Sequence, residues 1–500
     1  MKYILLVFSF IFIVVSCHAQ TTGRPDLWLR ADSVSMSDSL WRDVSGNDLD
    51  ANPHTSMLPP LSFGMNFNRC FEISPGDGFL IPFNDLTKSE AAAFIVYETT
   101  DSVEENGLWS LTLDTAGRIG LSSHRILNKH GSITYDTINR KNAVVNYLSQ
   151  AWDNTDAFFS TDSESHSILS IGRADSMSFS GSISEFVFFN KHISDTSVMQ
   201  WYSYLAVKYG ITLFKSNYLD SKRRCIWNYD ALPDYSLSIA GIGRDSVMGL
   251  SQKQTYFGSH HIVFGIGSLA ENNELNTSTI SDGDFILMGM DSSGISGMSS
   301  LYLSDGSEFA VTGKSIVQVT GTDPASYSTF LKLDFDMVGH AIPTIIIDRS
   351  GTGDYPLDAI EFVYPDDVDS MGNVFFYNLH WDTDGNGKDA FSIILESTDL
   401  LTDDIRSCAF DSNADEEKSS ANSYRITPNP NNGEYEVEIV LSEISDVTVG
   451  ISTSEGKLVR IFKGSGQAEY VFQDSRPSPG LYLIDIHSAI EHKVLKMIVQ

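Results

Sequence analysis

The residues best placed to do chemistry are Asp382-Thr383-Asp384-Gly385-Asn386-Gly387-Lys388-Asp389. Side-chain oxygens stand at positions 1, 3, 5 and 8, and the two glycines permit the tight turn that brings alternate side chains inward. Asp382, Asp384, Asn386 and Asp389 can therefore converge on a hard cation, calcium being the natural one. Position 12 is Ile393 where a helix-flanked calcium hand needs a bidentate glutamate, so that arrangement is excluded. The competing reading is a solvated acidic turn.

Other candidates are weaker. Asp334 and Asp336 share one face of a strand, the geometry of a carboxylate pair, and an exposed face explains them equally well. Glu185 alternates with Ile183 and has no carboxylate partner in view. Trp28 and Trp41 could stack on a sugar ring, but their apolar neighbours favour core packing. Asp43 and Asn47 flank a Ser-Gly turn, where an Asx turn is favoured over cation binding. His260 and His261 would point to opposite faces of a strand and could not both hold one ion. Gly241-x-Gly243 and Gly265-x-Gly267 lack the third glycine of a dinucleotide loop, and G-x-S-x-G, H-E-x-x-H and Walker patterns are missing. No reaction is legible in these residues.

The elements that would position them are almost all strands. Short apolar or alternating runs broken by Gly, Asn, Asp and Ser extend from Pro25 to the C-terminus, so the expected fold class is all-β. One segment differs. Ser194 can cap a helix, Asp195 complements its dipole, Val198, Tyr202, Leu205 and Tyr209 mark an apolar face, and Gly210 supplies the stop. This helix reads as a clasp between two β domains.

Five hundred residues at 42% hydrophobic content can build several cores, and a net charge of −32 excludes nucleic acid and anionic membranes as natural partners. Residues 1–19 have Lys2 ahead of a long apolar run and small residues at the end, the layout of a cleaved export signal. Cleavage after Ala19 is favoured over lipidation at Cys17. No later run is long enough to span a membrane as a helix. Cys70, Cys225 and Cys408 remain, an odd set that forms no disulfide framework and leaves at most one bridge. The chain divides into residues 23–206, a β-sandwich; 207–400, a second β-rich domain; a polar linker, 401–423; and 424–500, a compact sandwich of about seven strands.

Three phrases carry resemblances. Asp26-Leu27-Trp28-Leu29-Arg30-Ala31-Asp32, Trp41 to Asn47 and Gly181 to Phe186 resemble LamG-like, concanavalin A-like jelly rolls of exported bacterial proteins, a family in which Tyr204-Leu205-Ala206-Val207-Lys208-Tyr209-Gly210 has a close counterpart. Ile239 to Asp245 and Leu250 to Gln254 resemble an uncharacterised β domain that often follows it. Pro428 to Gly433, Ser454 to Val459, Pro479 to Ile484 and Lys496 to Gln500 resemble the type A C-terminal sorting domain of the type IX secretion system. The Asp382–Asp389 loop itself is similar to thrombospondin-type and dockerin calcium loops.

The sorting-domain resemblance implies that residues 424–500 engage the type IX secretion machinery and that the protein is secreted or held on the outer cell surface. The jelly-roll resemblance implies glycan or extracellular-polymer binding without selecting a ligand. The E-x-D-x-E strand motif of concanavalin-like glycanases does not occur, so a non-enzymatic adhesion or binding protein is expected. A polysaccharide-degrading enzyme and a structural surface component are the alternatives.

Overall fold

The computed structural model describes residues 23–35, 37–83, 90–100, 104–113, 117–128, 131–134, 144–151, 167–295, 297–303, 308–334, 342–396, 422–453, 457–475, 478–489 and 491–499. The export signal, Cys17, Asp336, Cys408 and nearly all of the linker lie outside them.

The expected all-β class is what the chain adopts. In the first third, a six-stranded antiparallel sheet built on Glu90–Thr99 and Gly181–Phe189 faces a seven-stranded sheet built on Gly107–Leu113 and Ser167–Ile171. Between them lies a core that includes Trp41, Phe71, Ile95, Trp109, Ile183 and Phe186. Strand Glu90–Thr99 is apolar at nearly every position because both of its faces are covered. Ala93, Ile95 and Tyr97 enter the sandwich, while Ala92, Phe94 and Val96 meet the helix side.

A bulge in Gly181–Phe189 sets up the chemistry of the junction. The pairing with Glu90–Thr99 shifts register between Ile183 and Glu185, and one extra residue inverts which side each later side chain takes. Ile183 therefore faces the sandwich core and so do Phe186 and Phe188, whereas Glu185 is turned toward the helix.

The helix runs Asp195–Tyr209, with the Ser194 side chain accepting from Ser197 N and Gly210 in the left-handed region at φ 65°. Its start, cap and stop are those expected, and of the expected face Leu205 and Tyr209 are buried, but the buried surface is wider than one stripe. Val198 and Tyr202 are only partly buried, and the face that sinks is Gln200, Trp201, Tyr204, Leu205 and Lys208. The reason is that both sandwiches pack on it, so polar side chains with partners are buried beside apolar ones. A continuous core joins Phe94 and Phe189 before the helix to Tyr218, Trp227, Leu250 and Phe285 after it.

The middle region repeats the two-layer plan. A nine-stranded sheet containing Leu237–Asp245, Phe285–Met290, Ser315–Thr320 and Lys388–Glu396 covers a five-stranded sheet containing Ile262–Ile266, Thr329–Leu333 and Val374–Leu379. The C-terminal region departs from the seven strands expected. It has five, because Glu434–Thr453 and Leu458–Ser475 are single long strands of 20 and 18 residues whose pairing breaks register near Ser445. Residues on both sides of these breaks, Val437 and Ile439 before and Val449 and Ile451 after, enter one core.

Candidate functional site

At the junction of the first two regions, one buried carboxylate organises the end of the helix. Glu185 is 1% exposed. Its Oε1 accepts from Trp28 Nε1 at 2.6 Å and Tyr204 OH at 2.8 Å, and its Oε2 accepts from Tyr209 OH and Lys208 Nζ, both at 2.8 Å. Lys208 also reaches Asp32 at 3.0 Å, and Arg30 grips Asp32 through two nitrogens at 2.8 and 3.0 Å. Burial alone would raise the Asp32 carboxyl, but Lys208 and Arg30 outweigh it and hold the group well below the usual range. Burial and the nearby Glu185 push the Tyr204 and Tyr209 hydroxyls upward, so both remain protonated donors. Tyr204, Lys208 and Tyr209 recur at spacings of four and one near the C-terminal end of the helix, which places all three over the bulged strand.

Beyond this cluster opens a cavity of about 610 Å³. Arg30, Asp32 and Arg69 line it from the first region, Lys208 from the helix, and Gln252, Lys253 and Glu274 from the second. Its walls are cross-linked by hydrogen bonds. Asn68 Nδ2 meets Lys208 O and Gln252 Oε1 across the junction, and Asn273 bridges Ser251 O and Lys253 N. Both lining carboxylates are already paired, Asp32 to Arg30 and Lys208, and Glu274 to Arg69 at 2.8 Å. Lys253 differs from the other cations: its Nζ meets the carbonyl of Asn276 at 2.6 Å, and burial together with Arg244 lowers its basicity.

The sequence did not single out Lys208, Lys253 or Arg69. Their signal was contextual, namely a lysine inside an otherwise aromatic helix phrase. Trp41 is buried in the sandwich and Trp28 packs edge-on against Trp201, so both serve packing as favoured. Asp43 accepts from Trp28 N, Ser45 N and Leu49 N, which makes it the expected Asx-type turn. His260 and His261 sit in the turn before Ile262–Ile266 rather than on a strand. Asp334 pairs with Lys332 at 2.9 Å. Cys70 and Cys225 are free thiols.

The Asp382–Asp389 loop turns where its glycines allow, but its polar groups hold one another. Asp382 accepts from Gly387 N at 2.6 Å, and Asn386 presents its amide hydrogens to Asp384 at 2.7 Å while its oxygen accepts from Lys388 N. Asp389 is buried, receives Arg349 Nη1 at 2.9 Å and Asp382 N at 2.7 Å, and leaves Oδ1 without a partner. Burial pushes its carboxyl up to about 6 against the pull of those donors. Among the described residues, one group of three or more His, Cys, Asp or Glu side chains brings its ligand atoms within 4.8 Å of one another, and it is not this loop.

Residues 425–500 match the family model of a secretion system C-terminal sorting domain. This tail indicates export by the type IX secretion system. This exported chain is destined for the cell surface or the extracellular space, and among the described residues no helix is long and apolar enough to cross a membrane. Residues 198–376 match a domain of unknown function (DUF8202), which begins inside the helix and continues through most of the second region. Among curated proteins none matches the sequence. Solved structures with distant likeness include domain 4 of AbnA, an extracellular arabinanase from Geobacillus stearothermophilus, at 10% identity and TM-score 0.28, covering 35% of this chain and 96% of that one. A xylan-binding module follows at 11% identity and TM-score 0.18, covering 32% and 95%. A leech intramolecular trans-sialidase has 9% identity and TM-score 0.22, covering 86% and 64%. Likenesses this distant carry nothing about a ligand.

Proposed function

We propose that this exported protein is a non-enzymatic binding protein whose junction cavity takes an acidic glycan, a polymer bearing uronate carboxylates, and that its first sandwich is a LamG-like, concanavalin A-like module. The observation that carries the reading is the cavity's charge. Its lining has four cations, Arg30, Arg69, Lys208 and Lys253, against two acids, Asp32 and Glu274, on a chain of net charge −32. Lys253 has a carbonyl rather than a carboxylate at its ammonium, so an incoming carboxylate meets a positive charge still to be neutralised. The amides of Asn68, Gln252 and Asn273 are spent on bonds within the protein, so they shape the cavity wall while Lys253 provides the polar contact.

Binding is favoured over hydrolysis because glycoside cleavage needs two carboxyl groups flanking a bond, about 5 to 9.5 Å apart and free to move protons. Here Asp32 and Glu274 are each committed to cations. Calcium at the Asp382–Asp389 loop enters this proposal as weak binding in the roughly 10⁻⁴ to 10⁻³ M range of extracellular modules. The partnerless Asp389 Oδ1 supports it, whereas Asn386 would have to turn its amide over.

The test is a glycan panel probed with the full mature chain, comparing polygalacturonate and alginate with neutral xylan and arabinan. Acidic polymers should bind, and Lys253→Ala should weaken them about tenfold or more. Release of reducing ends from any polymer would favour the enzyme reading instead.

A further inference from the structure

In the sorting domain, strands Gly480–Ser488 and His492–Val499 form an antiparallel hairpin in which His487 and His492 stand directly opposite each other. Asp485 precedes His487 by two residues and shares its face, while Ile484 and Ile486 take the core side. A carboxylate on the outward face of a sheet would ordinarily be hydrated. Asp485 is only 5% exposed, with Gly450 as its cross-strand neighbour on the other side. The two imidazoles cover it. His492 Nε2 lies 2.5 Å and His487 Nε2 3.3 Å from the same Asp485 Oδ1, and the rings stack at 4.1 Å with 14° between their planes.

The turn beside the pair is held shut. Ser488 Oγ donates to Glu491 O at 2.9 Å and accepts from Glu491 N at 3.0 Å, and Glu491 is itself held by Asn422 at 2.8 Å. Three donor atoms, two imidazole nitrogens and one carboxylate oxygen, thus lie within 4.8 Å of one another on one hairpin. A four-coordinate zinc-class ion takes nitrogen ligands at about 2.0–2.1 Å and carboxylate oxygen at about 2.0–2.2 Å, with its ligand atoms roughly 3.3 Å apart. Both Nε2 atoms already contact the same Asp485 oxygen, so a modest splaying of the stacked rings brings all three donors onto one ion, and the exposed His492 leaves a fourth position to water.

We propose that Asp485, His487 and His492 bind a borderline divalent transition ion of the zinc class, which clamps the last hairpin of the sorting domain. The ion accepts lone pairs from both Nε2 atoms and a carboxylate oxygen; each ligating imidazole is the neutral Nδ1–H tautomer, a neutral ring moving its hydrogen from Nε2 to Nδ1 and a protonated ring releasing its Nε2 proton to solvent. No oxidation or reduction is involved. The donor set separates this site from the Asp382–Asp389 loop, whose all-oxygen groups suit a hard cation.

The experiment uses the untagged full chain, stripped with EDTA and titrated with zinc by calorimetry and with cobalt(II) by visible absorbance. One ion should bind per chain, with cobalt bands of tetrahedral intensity and a higher thermal midpoint on zinc addition. His487→Ala and His492→Ala should each weaken binding on the order of 100-fold, given that loss of mere supporting partners costs 10–100-fold; each also lowers the thermal midpoint in EDTA because Asp485 loses a partner, so affinities are compared at a temperature where every variant is folded. X-ray absorption of the zinc-loaded parent, which needs no variant, should show two imidazole nitrogens. An oxygen-only shell, no binding at millimolar zinc, or unchanged binding in the His487→Ala/His492→Ala double variant would overturn the proposal.

Discussion

At the residue scale, Glu185 is the group on which the junction depends. Four donors from Trp28, Tyr204, Lys208 and Tyr209 satisfy it, and its removal would leave the 3%-exposed Lys208 with Asp32 as its remaining carboxylate. Breaking a buried pair from one side costs about 3–5 kcal/mol. Glu185→Ala should therefore lower the unfolding free energy of the transition that reports the junction, read by urea titration, by about 3–5 kcal/mol. Lys208→Met should cost less, because three neutral donors stay on the carboxylate. A second residue gives a pH signature. Asp389 has its folded value pushed up to about 6 from 3.8, so the folded chain holds this proton more tightly than the unfolded one. Its contribution is fully present below about 4 and is lost as pH rises through 6. Parent protein should gain stability relative to Asp389→Asn when pH falls from 7 to 5, read from paired urea titrations; an identical pH slope in both would contradict the assignment. Very little of this was legible beforehand. Glu185 looked like a lone strand carboxylate because its partners come from a tryptophan 157 positions earlier and a helix some 20 positions later.

At the scale of elements, the helix and the bulge do the positioning. The helix ends were readable because capping is local chemistry: a serine that accepts from Ser197 N and a glycine at φ 65°. Gly210→Ala puts a Cβ 3.1 Å from the Asn66 side chain in a backbone region that L-residues avoid, and should cost about 1 kcal/mol or more. Ser194→Ala should cost about 1 kcal/mol through the lost cap. Thermal melts of both variants check these values. The buried face of the helix was read only in part: Leu205 and Tyr209 sink as expected, but a 3.6-residue pattern identifies one apolar stripe and cannot reveal that a second sandwich covers the opposite side. The bulge at Ser184 was equally hidden. Alternation predicts which residues share a face only while the register holds, and here it breaks one residue before the functional carboxylate. The two long strands of the sorting domain follow the same lesson, because a strand whose pairing breaks register near Ser445 looks like two in sequence.

At the scale of the whole molecule, a strongly acidic chain closes a cation-rich cavity between two sandwiches and is sent out of the cell by a third. The all-β class, the dividing helix and the sorting tail were visible from patterning and short phrases, since these are repeated or local features. The cavity was not, because its walls come from Arg30, Arg69, Lys208 and Lys253, which are scattered over more than 220 positions. Export makes its own prediction: a chain ending before residue 424 should accumulate inside the cell envelope, whereas the full chain reaches the surface or medium, as read by fractionation. The central claim is that the cavity binds acidic glycan. Its most direct measurement is calorimetric titration of the mature chain with uronate oligosaccharides, in parent and Lys253→Ala forms, at low and high salt. Saturable one-site binding that weakens about tenfold in the variant and falls with salt is the predicted result. No heat from any uronate oligomer, or equal affinity in both proteins, would contradict it.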